Sequence, residues 1–406
     1  MCADSQIKYD ASNPDKELAL LIAVDALFGF AIGFSSPSVA PLVFALGVSI
    51  SFVGQAQTLG WLGATFFRLP VGVLMDRIGR KPFILIGGLV TLVGFLSYSQ
   101  ATIWLLLGTG IMLVNLDFAV RGMALYASLG DVAKSEGLGR IFSVDLGVTQ
   151  AAATIAPLVG GYLATTLSFP SSTIFEISAG LVGVALIIAL IGYSPKPVPR
   201  TAVAPTRFIW SSLRRNKQLT LILIIVGLDA AAWRVSFPFW TLYIFKEMNA
   251  TQQQLGIALA ISAGIPALSG LTLGGRLDKV GRRPFLAMSE WCAIGAFMPL
   301  LLGWRVEFAY VSAIFWGLVY SLWMPAMNAY IVEHFGREKF GQTFGAMSLV
   351  SGIVSAASPA VGGWLWDNVS PQAPFMVTLI LAIIIGCIIW FKMGETAVIH
   401  RSPQPK

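Results

Sequence analysis

Gly72-Val-Leu-Met-Asp76-Arg77-Ile-Gly79-Arg80-Lys81-Pro82-Phe83 is a short polar island between two long apolar runs. It has a partner 202 residues later in Gly274-Gly-Arg-Leu-Asp278-Lys279-Val-Gly281-Arg282-Arg-Pro284-Phe285. The same offset carries Gly139, Phe142, Pro157, Gly160 and Gly161 onto Gly341, Phe344, Pro359, Gly362 and Gly363, and Asp131 onto Glu333. One unbroken register over that length reads as a chain made of two copies of one unit.

Composition says what the unit is made of. The 406 residues are 56% hydrophobic and only 12% charged, against about 25% charge in ordinary soluble domains. A bilayer span takes about 20 apolar residues, so twelve spans with short connections use nearly the whole chain. The runs are Leu18–Leu46, Ile50–Met75, Phe83–Tyr98, Ile103–Leu129, Ile141–Leu167 and Thr173–Tyr193, then Leu219–Phe245, Leu255–Leu277, Phe285–Leu302, Phe308–Ile331, Phe344–Trp366 and Ala373–Phe391. The expected fold is all-α and polytopic, two pseudo-symmetric six-helix bundles at 18–193 and 218–393. A polar segment at 1–17, a basic linker at 194–217 and a tail at 394–406 complete the division. The polar start has no basic, apolar and small-residue succession, so no signal peptide is expected.

Charge orients the bundles. On this map 22 of the 27 Lys and Arg fall at one end, two at the other (Lys246 and Arg305), and three within spans. Cytoplasmic loops collect Lys and Arg, so both termini are expected in the cytoplasm of a cell whose plasma membrane holds the chain. The net charge of +7 is then topology and attraction to an anionic leaflet, with no nucleic-acid partner expected. Two histidines and three cysteines supply no metal-ligand spacing or disulfide framework. With no GxxxxGK[ST] phosphate loop, neither an enzyme nor an ATP-driven pump is expected. No metal or cofactor is expected either, and a monomer is.

The duplicated loop, with the helix count, resembles the major facilitator superfamily over roughly residues 18–391. The resemblance implies transport by alternating access, two bundles rocking about a central site. Gly72 and Gly274 permit close helix approach, and Gly79 and Gly281 suit turns with positive φ. Asp76 and Asp278 can accept N–H groups from a helix start in the opposite half. The resemblance names that helix as the eleventh, near Gly341, for Asp76 and the fifth, near Gly139, for Asp278. It also pairs Arg77 or Arg80 with Asp131, and Lys279 or Arg282 with Glu333. Together these form a conformational latch, unless the cations serve topology alone.

Charges deep in a bilayer cost some 3 kcal/mol or more and need a reason. Asp25 in span 1, Asp117 and Arg121 in span 4, and Asp229 and Arg234 in span 7 are the deep candidates, on spans that the resemblance places around the cavity. Asp117 and Arg121, four apart, share a helix face. They are either a permanent neutral pair or part of proton coupling, since a carboxylate sheds its proton beside an arginine and keeps it when desolvated and unpaired; Asp117, Asp229 and Asp25 are the proton-coupling candidates. Arg68 is expected to reach the surface, and Asp145, Glu176 and Glu290 to be structural residues near span ends. Trp233, Phe237 and Trp240, and Trp316, Tyr320 and Trp323, form helical stripes that either pack or face an organic substrate. Asn115, Gln150 and Asn328 add hydrogen-bonding capacity.

The drug-antiporter signatures of the family are incomplete. The stretch Gly110–Asn115 lacks the expected Arg and Gln-Gly, and Ala156-Pro157-Leu-Val-Gly160-Gly161 keeps only the tail of the helix-5 motif. The paired glutamines of sugar porters in helix 7 are missing too. The expected function is secondary transport of a small organic solute with proton coupling, export favoured over uptake. The alternatives are an organic-anion symporter or facilitator in which Arg121 and Arg234 bind the charge, and a receptor or scaffold without transport.

Overall fold

The computed structural model describes residues 14–132, 138–193, 217–335 and 340–394. Among these, the side chains of 14, 69, 138–140, 217, 270–279, 335, 340–342, 344 and 346 are not described. The linker 194–216, the tail beyond 394 and most of segment 1–17 lie outside the described residues.

Twelve long helices succeed one another, joined by short turns where the chain is described. They are α1 (Pro14–Ala45), α2 (Ile50–Ile78), α3 (Lys81–Ser99), α4 (Trp104–Val132), α5 (Leu138–Thr165) and α6 (Ser171–Gly192) in the first half. The second half has α7 (Gln218–Glu247), α8 (Gln252–Val280), α9 (Arg283–Leu302), α10 (Val306–Phe335), α11 (Phe340–Val354 with Ser358–Asn368) and α12 (Ala373–Lys392). Ten are long and apolar enough to cross a membrane as they stand, and α2, bent by 46° between Arg68 and Pro70, is an eleventh. The helices run up to four residues beyond the apolar runs, because helices continue into the polar interface after hydrophobicity has ended.

These helices are apolar on nearly every side, as lipid requires. Ile187, Ile191 and Phe391 are exposed on the outside, whereas the contacts between helices use small residues such as Ala31, Ala124, Ala185, Ala258 and Ala313. With no hydrophobic drive between helices in lipid, close backbone approach is what holds them.

The repeat is visible in the local structure. Ser49 caps α2 by accepting from Phe52 N at 3.2 Å, and Thr251 caps α8 by accepting from Gln254 N at 3.2 Å. Gly79 and Gly281 close α2 and α8 with φ of +90° and +94°, where a side chain would be strained. Alternation of direction puts the loops after α2 and α8 at one end of the molecule, called here the basic end.

Candidate functional site

Three side chains in the first half form a buried ionic cluster. Arg121 of α4 forks onto Asp117, its Nε donating to Oδ1 at 2.7 Å and an Nη to Oδ2 at 2.6 Å, and its other Nη reaches Asp25 Oδ1 of α1 at 2.8 Å. Thr91 of α3 donates to Asp117 at 2.7 Å, and the Phe28 ring lies 4.1 Å from the guanidinium carbon. Local structure makes room for this. Phe118–Gly122 is a π-helical turn inside α4, a form frequent at functional positions. Gly87 of α3 lets the α4 backbone come close, since a Cβ there would sit 2.5 Å from Arg121 N.

A third acid adjoins the cluster. Asp145 of α5 is 1% exposed, and neither of its carboxylate oxygens has a hydrogen-bond partner. It lies within range of the charges of Asp25 and Arg121, as does Tyr126. Spacing along the chain places Asp145 near the start of its span, and the structure adds that it is buried there beside α1 and α4. Tyr126, which the sequence did not single out, also lines a cavity of about 480 Å³ with Thr65, Arg68, Phe118 and Leu349. The cavity lies between α2, α4 and α11 and extends toward the basic end through Met75, Ala127 and Gly345.

The second half is built differently. The repeat counterpart of Arg121 is Trp323, which packs into an apolar cluster. Asp229 of α7 faces Glu290 of α9 with Trp233 beside them, and Glu290 is fully buried. Glu290, in the first half of its span, is thus buried between α7 and α9. Arg234 does not pair with Asp229. Its guanidinium lies 4.1 Å from the Trp61 ring of α2, about two turns of that helix from Arg68, and Nη1 is buried without a partner among the described residues. Arg68 is half-buried on the cavity that extends toward the basic end, lying over Phe118 at 5.6 Å with its Nε buried and unpartnered among the described residues.

The aromatic stripes of α7 and α10 meet each other. Trp316 packs edge-on to Trp233 at 5.1 Å and stacks on Phe237 and Trp240, both at 5.7 Å, with Phe297 of α9 closing the group. Trp240 is 4% exposed, and its N–H donates to Ser312 at 3.0 Å, so it presents no open face to a solute in this conformation. Phe237 and Tyr320 are exposed. Asn115 donates to Gln57 at 2.7 Å, joining α4 to α2, and Gln150 donates to the Ala263 carbonyl at 3.2 Å, joining α5 to α8 across the halves. Asn328 is half-buried on α10.

At the basic end Arg80 pairs with Asp131 at 2.7 Å and Arg282 with Glu333 at 2.8 Å. Each pair lies within one half. Lys81 donates to the Leu190 and Tyr193 carbonyls at the end of α6, at 2.7 and 2.6 Å. Gly72 has nothing closer than Met123, and Asp76 and Arg77 are exposed. Gly274, Asp278 and Lys279 lie outside the described side chains, as do Gly139 and Gly341.

The opposite end is shut by a symmetric seam. Asp367 at the end of α11 accepts from Ser51 N of α2 at 2.7 Å, and at the equivalent place Thr165 of α5 accepts from Gln253 N of α8 at 2.9 Å. A Cβ on Gly54 would overlap the Pro359 carbonyl, and one on Gly256 the Pro157 carbonyl. Likewise, a Cβ on Gly161 would meet Gln252 O at 2.5 Å, and one on Gly363 would meet Ile50 O at 2.6 Å. Of the paired glycines, read from sequence only as sites of bending or close packing, Gly161 and Gly363 touch the backbone of the other half, while Gly160 and Gly362 lie against the Phe34 and Val235 carbonyls of their own half.

Two six-helix repeats, sealed together at one end and parted by a cavity at the other, make a membrane transporter fold. The Major Facilitator Superfamily family model matches residues 21–229 and 222–406, and the chain belongs to that superfamily. It is 23% identical over 371 residues to the multi-drug resistance efflux pump PmrA of Streptococcus pneumoniae, covering 87% of this chain and 90% of that one. To the proton-coupled antiporter flippase LtaA of Staphylococcus saprophyticus it is 22% identical, covering 92% and 94%. The crystal structure of the nucleoside transporter NupG superposes with a TM-score of 0.76 at 14% identity, over 93% of this chain and all of that one.

Proposed function

We propose that this transporter exchanges protons for a small organic solute, moving the solute out of the cell through the plasma membrane with the basic end in the cytoplasm. The carrying observation is the surplus of buried acid around Arg121. One cation is shared by Asp117 and Asp25 at 2.6 and 2.8 Å, while Asp145 stands beside them unpartnered. Asp25, Asp117 and Asp145 stand on α1, α4 and α5 of the same half, so a shift of these helices against one another inside that bundle changes which of them the guanidinium reaches. The acid it leaves takes up a proton, and the acid it joins gives one up. Asp229 with Glu290 serves as a second carboxyl group of the pathway.

In this orientation the seam closes the outside and the cavity is open to the cytoplasm, the loading state of an exporter. Exposure of Asp76 and Arg77 fits a latch that is released in this state. The names of the efflux pump and the antiporter among its relatives support the export direction.

Purified protein in liposomes loaded with a pH-sensitive dye tests the reading. Addition of a transported solute drives proton flux in the wild type, and Asp117→Asn abolishes the flux while solute binding persists. Solute flux that ignores both the pH gradient and Asp117→Asn makes the protein a facilitator. Binding without any flux makes it a receptor.

A further inference from the structure

We propose that Arg68 and Arg234 form the binding site for an organic anion. Its acidic group sits between the two guanidinium groups, and its apolar body lies against Trp61, Phe118 and the cavity wall. The proposal rests on the transport reading and names the substrate class of that pathway.

Among the described residues, Arg121 uses its donors on Asp117 and Asp25, so its charge is already spent. Arg68 and Arg234 have no carboxylate partner and no hydrogen bond; their contacts are rings, Phe118 and Trp61. Each holds a buried guanidinium nitrogen without an acceptor among the described residues, and both lie at α2, where the Trp61 ring beside Arg234 is about two turns from Arg68 on the same helix face. Two like charges within spans, neither neutralised, are a standing cost that an anion between them would remove. A planar fork suits carboxylate, sulfonate or phosphate oxygens.

The surroundings fit an apolar body. Arg68 lines the 480 Å³ cavity with Met75, Phe118, Met123 and Leu349, a volume in the range of small-molecule sites. The arginines also belong to different halves, Arg68 to α2 and Arg234 to α7. An anion held by both binds one arrangement of the halves better than the other, and only such a difference lets a ligand shift the equilibrium.

Calorimetric titration of the full chain in phosphatidylcholine nanodiscs tests this with 1-naphthoate, 1-naphthalenesulfonate and 1-naphthyl phosphate. The uncharged 1-naphthamide and cationic 1-naphthylmethylammonium are the controls. At least one anion is expected to bind about tenfold tighter than the amide. Arg68→Gln and Arg234→Gln each remove that preference, Arg234→Lys keeps part of it, and amide binding stays put. The proposal is overturned if no anion outbinds the amide, or if both Gln variants, unfolding at the wild-type temperature, keep the preference. It is also overturned if only added phosphatidylglycerol binds, which makes the site a lipid contact. Dye-reported proton flux is scored separately. Anion binding without proton flux removes the coupling reading alone, and proton flux without anion binding removes this site alone.

Discussion

Arg68 stands at the bend of α2, Arg121 inside the π turn of α4, and Arg234 just before the 3₁₀ turn Phe237–Phe239 of α7. Regular helix leaves little room for a long charged side chain among neighbours packed through glycine and alanine, and a widened or bent turn supplies it. The three differ in what they meet, so they differ in what their loss does. Arg121→Leu leaves Asp25 and Asp117 facing each other without a cation, at a cost of about 3–5 kcal/mol. The unfolding midpoint in detergent is expected to fall by several degrees, and Asp117→Asn on the same background restores part of the loss. Thr91→Val removes a single donor to Asp117 and costs about 1 kcal/mol, measurable in the same assay. Sequence spacing was enough to place Asp117 beside Arg121, because both lie on one helix four residues apart. It could not find Asp25 as the second partner, nor Thr91 or Asp145, because spacing along a chain carries no information on what a neighbouring helix presents. Glu290 was hidden for the same reason.

At the scale of helices, the seam between α2 and α11 and between α5 and α8 depends on glycines that allow two backbones to touch. Gly161→Leu or Gly363→Leu forces these pairs apart and disfavours the conformation described. Spin labels at positions 73 and 345, both exposed on α2 and α11 near the basic end, are expected to move closer together as the basic end shuts. An unchanged distance distribution would show that the seam does not set the equilibrium. The number and order of helices were legible because each span is a long apolar run, and the duplication was legible because its register never breaks. The role of the aromatic stripes was not. Trp233 and Trp316 do share helix faces as their period requires, but the period does not say that the two faces pack on each other. Nor does the period reveal that the cation facing the second half, Arg234, rests on a tryptophan of the first.

For the whole molecule, the two ends are held by different forces. Arg80–Asp131 and Arg282–Glu333 at the basic end are partly exposed ion pairs, each within one half, and in the proposed latch it is the exposed Asp76 and Arg77 that bridge the halves by charge when that end shuts. The opposite seam is mostly close main-chain contact, and among the described residues its capping bonds use Asp367 at one place and the neutral Thr165 at the matching one. Ions in solution shorten the reach of charge from about 10 Å at 0.1 M to about 3 Å at 1 M salt, yet leave van der Waals contact untouched. Concentrated potassium chloride should therefore loosen one gate and spare the other. Spin-label distances between 73 and 345 are expected to shift toward the open basic end as salt rises, with no residue altered. In the proposed orientation, a cell that changes its internal ionic strength would, by that route alone, change how long each copy of the carrier waits with its mouth toward the interior.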